Sequence, residues 1–131
     1  MKRTTALRQL AVGIVATLPL CGIAAAADAS ADDRVELRGK CSAGSAWRLR
    51  VEAEDRDLEI EFRIEPRLRT GLWQVIVLHE RRIVLRRTLR TPAGGGSVRV
   101  RTTVPDWWGT DSLVVRATGP RNELCRASAT I

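Results

Sequence analysis

Strict alternation of apolar and polar side chains is the feature that most limits what this chain can fold into. It occurs in eight short runs between residues 34 and 131, and DLEIEFRIE (57–65) is the clearest. In that run Leu58 and Ile60 share one face and Glu59 and Glu61 the other, as an antiparallel strand with one wet face requires. The runs recur about every ten residues with turn residues between them. The sequence therefore predicts an all-β domain, an antiparallel β-sandwich of about 7–8 strands.

Two of the runs depart from simple alternation. LWQVIVLHE (72–80) has apolar residues on both parities, which is typical of a strand covered on both faces. RIVLRRTLR (82–90) is also compatible with a basic amphipathic helix, but the β-branched pair Ile83 and Val84 favours a strand. The Glu80-Arg81 pair before it lacks the Gly or Asn that a tight hairpin turn prefers.

The first 27 residues have the pattern of a secretory signal peptide: basic residues, then an apolar run, then alanines at the end. Cleavage is predicted after about Ala27. The predicted organisation is a signal peptide (1–27), a disordered N-terminal tail (28–33) and a β-sandwich domain (34–131). We expect the protein to be secreted and to have no membrane span after cleavage.

Two cysteines remain after the predicted cleavage, Cys41 near the start of the domain and Cys125 near its end. An even number of cysteines in a small secreted domain predicts one disulfide. Closing a loop of this length stabilises a domain by about 4 kcal/mol in the chain-entropy account.

The basic residues are unevenly distributed along a chain of formal net charge +7. Residues 67–101 contain nine arginines and one acidic residue, Glu80. Such a stripe could bind polyanions, or its arginines could pair with the acidic strand next to it. No aromatic stacking platform is interleaved with the arginines, so nucleic acid is not an expected partner. The candidate polyanion stripe consists of Arg81, Arg82, Arg86, Arg87, Arg90, Arg99 and Arg101.

The segment DWWGTD (106–111) places two adjacent tryptophans beside a turn signal. In extended chain Trp107 and Trp108 point to opposite sides, so at most one can enter the core while the other lies over the loop or in water. Alternatively, the pair forms a platform for a sugar, with Asp106, Thr110 and Asp111 hydrogen-bonding the hydroxyls. An exposed tryptophan can also anchor a protein partner.

Residues that take part in catalysis or bind metals are few in this chain. It has one histidine and no tyrosine, and no serine lies in a nucleophile-elbow motif. His79, at a strand end beside Glu80, is interpreted as a surface or turn residue. The carboxylates of residues 52–59 are assigned to a solvated strand face, so no metal or cofactor is expected. The sequence favours a protein that is not an enzyme.

The segments KCSAGSAWRLRVEAEDRDLEIEFRI, WQVIVLHERRIV, TPAGGGSVRVR and CRASATI together resemble an uncharacterised family of small secreted actinobacterial proteins. The resemblance implies export and a β-sandwich loosely like an immunoglobulin domain, with no catalytic residues to transfer. The expected function is a binding module at or outside the cell surface, for cell-wall polysaccharide or a protein ligand. The alternative is a small secreted hydrolase or inhibitor.

Overall fold

A computed structural model describes residues 33–68 and 70–131 of the chain. The predicted signal peptide (1–27) and all but the last residue of the predicted tail (28–33) lie outside the described residues. Within residues 33–68 and 70–131 no helix is long and apolar enough to cross a membrane.

Eight strands form in the described part of the chain, each at one of the alternating runs of the sequence. A short 3₁₀ turn, Pro120–Asn122, precedes the last strand. The strands are β1 (Arg34–Lys40), β2 (Ala46–Glu54), β3 (Asp57–Glu65), β4 (Leu72–His79), β5 (Arg82–Arg90), β6 (Val98–Pro105), β7 (Ser112–Thr118) and β8 (Leu124–Thr130).

The strands form two antiparallel four-stranded sheets. The first sheet has the order β1-β2-β3-β6 and the second sheet the order β5-β4-β7-β8. The chain crosses between the sheets at three loops, residues 66–71, 91–97 and 106–111. This arrangement confirms the predicted all-β sandwich.

The core lies between the two sheets and consists of the inward-facing residue of each alternating pair. Leu58, Ile60, Phe62 and Ile64 of β3 are all buried, as their parity predicts. Trp73 of β4 is the largest fully buried side chain. Full burial of a Val, Leu, Ile or Phe side chain stabilises the fold by about 1.5–3 kcal/mol. The other buried apolar residues are Leu49, Val51, Val75, Val77, Val98, Val100, Val104, Leu113, Val115, Ala117, Ala127 and Ala129.

Residues 82–90 form a strand, so the helical alternative is wrong. The hairpin before β5 is a two-residue turn in which Glu80 (φ 48°) and Arg81 (φ 66°) both have positive φ, the conformation that favours Gly or Asn. Glu80 is held there by Ser112, whose N–H donates to the Glu80 Oε1 at 2.5 Å. The Glu80 N–H in turn donates to the Ser112 carbonyl.

The outward side of β4 is not covered by any element within the described chain. The apolar residues on the second parity, Leu72, Ile76 and Leu78, are exposed or half-buried, while Val75 and Val77 are buried. The prediction that both faces of this strand are covered is therefore wrong. The central position of β4 provides a partner strand on each side but no layer above it.

The predicted disulfide is confirmed, with an S–S distance of 1.98 Å between Cys41 and Cys125. Cys41 follows β1, the outer strand of the first sheet, and Cys125 lies in β8, the outer strand of the second. The bond therefore joins the two sheets at one pair of edges.

The disulfide end of the sandwich also contains a buried carboxylate, Glu123. Its oxygens accept hydrogen bonds from the backbone N–H groups of Ala43 and Ser45 at 3.1 and 3.0 Å and from the Ser45 hydroxyl at 2.6 Å. The Ser45 Oγ also accepts a bond from the Arg67 N–H at 2.9 Å. Glu123 thus ties the turn after β1 to the approach to β8.

Candidate functional site

The DWWGTD segment connects β6 to β7 across the end of the sandwich that lies opposite the disulfide. Its first residue is fixed by a bond from the Asp106 N–H to the Arg56 carbonyl at 2.8 Å. Its last residue, Asp111, exchanges two backbone hydrogen bonds with Ile131, at 2.8 and 3.1 Å. Gly109, with φ 85°, makes the turn between these ends. The loop is therefore anchored on both sides.

Neither tryptophan of this loop enters the apolar core. Trp107 is 44% exposed and lies over the ring of His79, with the ring centroids 4.4 Å apart and the planes 30° apart. Trp108 is fully exposed. Trp107 thus lies over a buried side chain and Trp108 lies in water. The expected arrangement in which one tryptophan enters the core does not occur.

Beneath Trp107 lies a buried pair formed by His79 and Asp111. The His79 Nε2 is 2.6 Å from the Asp111 Oδ1, and the two side chains are 1% and 2% exposed. The interpretation of His79 as a surface residue is therefore wrong. Its parity could have shown this, since His79 continues the inward series of Trp73, Val75 and Val77. Asp111, expected to face a ligand, is likewise turned inward.

One oxygen of this pair, the Asp111 Oδ2, is buried without a hydrogen-bond partner. When it is protonated, the neighbouring Asp106 carboxyl can donate a hydrogen bond to this oxygen. The pKa of Asp106 is raised above its usual value, chiefly because a side-chain hydrogen bond with Asp111 favours the protonated form. Desolvation and the negative charges of Asp111 and Asp33 act in the same direction, and His79 opposes them.

His79, Glu80 and Asp111 each offer an atom that could bind a metal ion, and these atoms lie within 4.8 Å of one another. Two ligands of one zinc ion, each about 2.1 Å from the metal in tetrahedral geometry, are more than about 3 Å apart. The 2.6 Å between His79 and Asp111 is too short for that and fits a hydrogen bond. The arrangement therefore favours a hydrogen-bonded pair rather than a metal centre.

A groove of about 510 Å³ opens beside the tryptophans. One wall is the Trp loop, through Asp106, Trp107 and Trp108, and the other is the β2–β3 hairpin, through Asp55 and Arg56. The groove therefore presents two aromatic rings, two carboxylates and one guanidinium. Thr110, expected to hydrogen-bond a ligand, is exposed on the same loop but does not line the groove.

The arginines of the predicted polyanion stripe lie on two different sheets. Arg81 lies in the hairpin turn before β5, and the other four arginines of this part lie within β5, in the second sheet: Arg82, Arg86, Arg87 and Arg90. Arg99 and Arg101 lie on β6 of the first sheet, where Arg101 pairs with Glu59 and Glu61 at 3.5 and 3.0 Å. Arg99 reaches Glu61 at 3.8 Å. The stripe is thus divided, and part of it pairs with the acidic strand as the alternative predicted.

Comparison with family models, with curated proteins and with solved structures gave no match to this chain.

Proposed function

We propose that this protein is a secreted, non-enzymatic binding module whose groove beside Trp107 and Trp108 binds a saccharide. The observation that carries the proposal is the fully exposed Trp108 beside a half-exposed Trp107 on a loop anchored at both ends. An exposed tryptophan ring offers a large flat apolar surface that a bound ligand can cover, and a loop anchored at both ends loses little conformational entropy on binding.

The polar groups of the groove suit sugar hydroxyls. Asp55 and Asp106 accept hydrogen bonds and Arg56 donates them, while a tryptophan face packs against the apolar C–H groups of a pyranose ring. Two carboxylates against one guanidinium repel acidic polymers. The preferred ligand is therefore a neutral or N-acetylated polysaccharide, of the kind found in cell walls.

A disulfide between the sheets fits an oxidising, extracellular location. The alternative, a small secreted hydrolase or inhibitor, has less support. His79 has a carboxylate partner in Asp111, but no hydroxyl hydrogen-bonds to it among residues 33–68 and 70–131.

The test is a titration of the full chain with chito-oligosaccharides and gluco-oligosaccharides, followed by tryptophan fluorescence at low and high salt. We expect saturable binding that salt changes little, because the contacts are stacking and neutral hydrogen bonds. Trp108→Ala and Arg56→Ala should weaken binding about tenfold or more, and Arg121→Ala, an exposed arginine at the other end of the sandwich, should not.

Equal binding by the Trp108→Ala and Arg121→Ala variants would contradict the proposal. So would binding that is lost in high salt, which would indicate a charged ligand at another surface.

A further inference from the structure

The outward faces of the two sheets differ in how their charges are balanced. On the first sheet the outward arginines form ion pairs with glutamates, for example within one strand between Arg50 and Glu52 and between Arg63 and Glu65, both at 2.8 Å. On the second sheet the outward positions of the four strands include no carboxylate. They carry four arginines, Arg86, Arg90, Arg116 and Arg126.

Three of these arginines lie in one row across the second sheet. Ile76 of β4 is paired with Arg86 on one side and Arg116 on the other, and Arg116 is paired with Arg126. Neighbouring strands are about 4.8 Å apart, so the row concentrates three positive charges on one line. All three side chains are exposed, and none forms an ion pair in the described part of the chain. Like charges on adjacent strands cost stability.

Beside this row lies an apolar patch on three adjacent strands. Leu78 of β4 is paired with Ile83 on β5 and with Val114 on β7, and Ile76 lies two residues along the same face. Ile83 is 52% exposed, and the other three are half-buried. An exposed apolar patch with arginines at its rim is the composition of a protein interface.

We propose that this basic-apolar face, the outward surface of the second sheet around the Arg86–Arg116–Arg126 row and the Ile76–Leu78–Ile83–Val114 patch, is a docking surface for an acidic protein. Carboxylates of the partner pair with the arginines, whose planar guanidinium groups bind carboxylates in a bidentate way. Apolar side chains of the partner cover the patch. The bound partner then covers the outward face of β4, a strand whose sequence has apolar residues on both faces.

The charge and shape of the face argue against the other occupants. A second copy packed face to face would bring two rows of arginines together, with no carboxylate on either face to pair with them. A polysaccharide or nucleic acid would pair with the arginines but leave the apolar patch in contact with water. Three of the four apolar side chains of the patch are half-buried, which leaves little apolar area to enter a membrane surface, and membrane binding scales with that area.

The test uses labelled copolymers of glutamate and tyrosine as the probe, with poly-glutamate for comparison, and measures binding to the full chain by fluorescence anisotropy. We expect the copolymer to bind about tenfold more tightly than poly-glutamate, because its apolar groups reach the patch. The triple variant Arg86→Gln, Arg116→Gln, Arg126→Gln should weaken copolymer binding about tenfold or more. The matched variant Arg38→Gln, Arg99→Gln, Arg101→Gln alters the first sheet by the same net charge, and its binding should stay within about twofold.

A second pair of variants tests the apolar part. Ile83→Ser should weaken binding of the copolymer but not of poly-glutamate, and Leu68→Ser, a comparably exposed apolar residue in the 66–71 loop, should change neither.

Equal losses in the two triple variants would overturn the proposal, since net charge alone would then explain binding. Tighter binding to heparin or to phosphatidylglycerol vesicles than to the copolymer would overturn it in favour of a polysaccharide or a membrane.

Discussion

Each end of the sandwich buries a carboxylate, and the two are satisfied differently. At the disulfide end Glu123 accepts three hydrogen bonds from the turn after β1. At the Trp end Asp111 bonds to His79 through one oxygen, and its other oxygen has a donor only when the Asp106 carboxyl is protonated. A buried polar group without a partner costs about 1–3 kcal/mol. The buried carboxylate of the disulfide end is thus held by three donors, while that of the Trp end lacks a donor for one oxygen whenever Asp106 is ionised.

Removal of the disulfide should have the largest effect. We expect the double variant Cys41→Ala, Cys125→Ala to lose about 4 kcal/mol of unfolding free energy, because the unfolded chain is no longer constrained across 84 residues. Urea unfolding followed by circular dichroism measures the loss. An unchanged urea midpoint would show that the disulfide end does not depend on its covalent bond.

At the Trp end, Asp111→Ala should cost about 2–3 kcal/mol, since it leaves the His79 ring buried without its partner. Asp111→Asn keeps an acceptor oxygen toward His79 and should cost less. The same urea experiment distinguishes the two variants. Equal losses would mean that the pair contributes packing rather than a hydrogen bond.

At the disulfide end, Glu123→Gln should cost about 1–2 kcal/mol, because the amide oxygen can accept the two backbone bonds but the amide nitrogen cannot accept the bond from the Ser45 hydroxyl. Glu54→Gln, on an exposed carboxylate at the end of β2, is the control and should change stability little. A loss as small as in the control would remove the contrast between the ends.

The pH dependence of the Trp end follows from the raised pKa of Asp106. A carboxyl whose pKa is higher in the folded protein than in the unfolded chain stabilises the fold at acidic pH, and this contribution disappears as pH rises through the folded-state pKa. Trp107 fluorescence should therefore change as the Asp106 proton is lost. Asp106→Asn carries a permanent donor toward Asp111 and should abolish the transition; a transition that persists would assign it to another group.

The smallest effect on stability is expected for Trp108→Ala. A fully exposed side chain contributes within about 0.5 kcal/mol, whereas Trp107→Ala uncovers His79 and should cost more. Thermal unfolding of both variants tests the difference. A large loss for Trp108→Ala would show that this ring packs against the sandwich after all.

The strands could be predicted almost to the residue because alternation is a local property, set by which side chains face the core. The position of His79 was also encoded in its parity, but its place beside Glu80 at a strand end suggested the surface. The groove could not be predicted. Its walls, Asp55 and Arg56 on one side and Trp107 on the other, are some fifty residues apart and meet only because of the strand order.

Two further predictions were wrong for the same reason: they depended on the strand order, which local sequence patterns do not show. The crossing of the chain between β5 and β6 places Arg99 and Arg101 on a different sheet from Arg86, which no local pattern shows. The two-sided apolar pattern of β4 predicted cover on both faces, but a local pattern does not tell whether the fold of the chain supplies a layer there, and among the residues described it does not.

The edge strand β5 has a consequence for how the protein behaves in concentrated solution. Its free edge could accept a strand from a neighbouring molecule, the first step of aggregation. Arg87 is paired with the buried Val75, so it lies on the inward parity of the strand, yet it is exposed because β5 ends the sheet. A strand added to this edge would bury the Arg87 guanidinium, and the bulge beside Leu78 would disturb its register. The edge at β5 is thus protected by charged side chains at positions whose parity points inward.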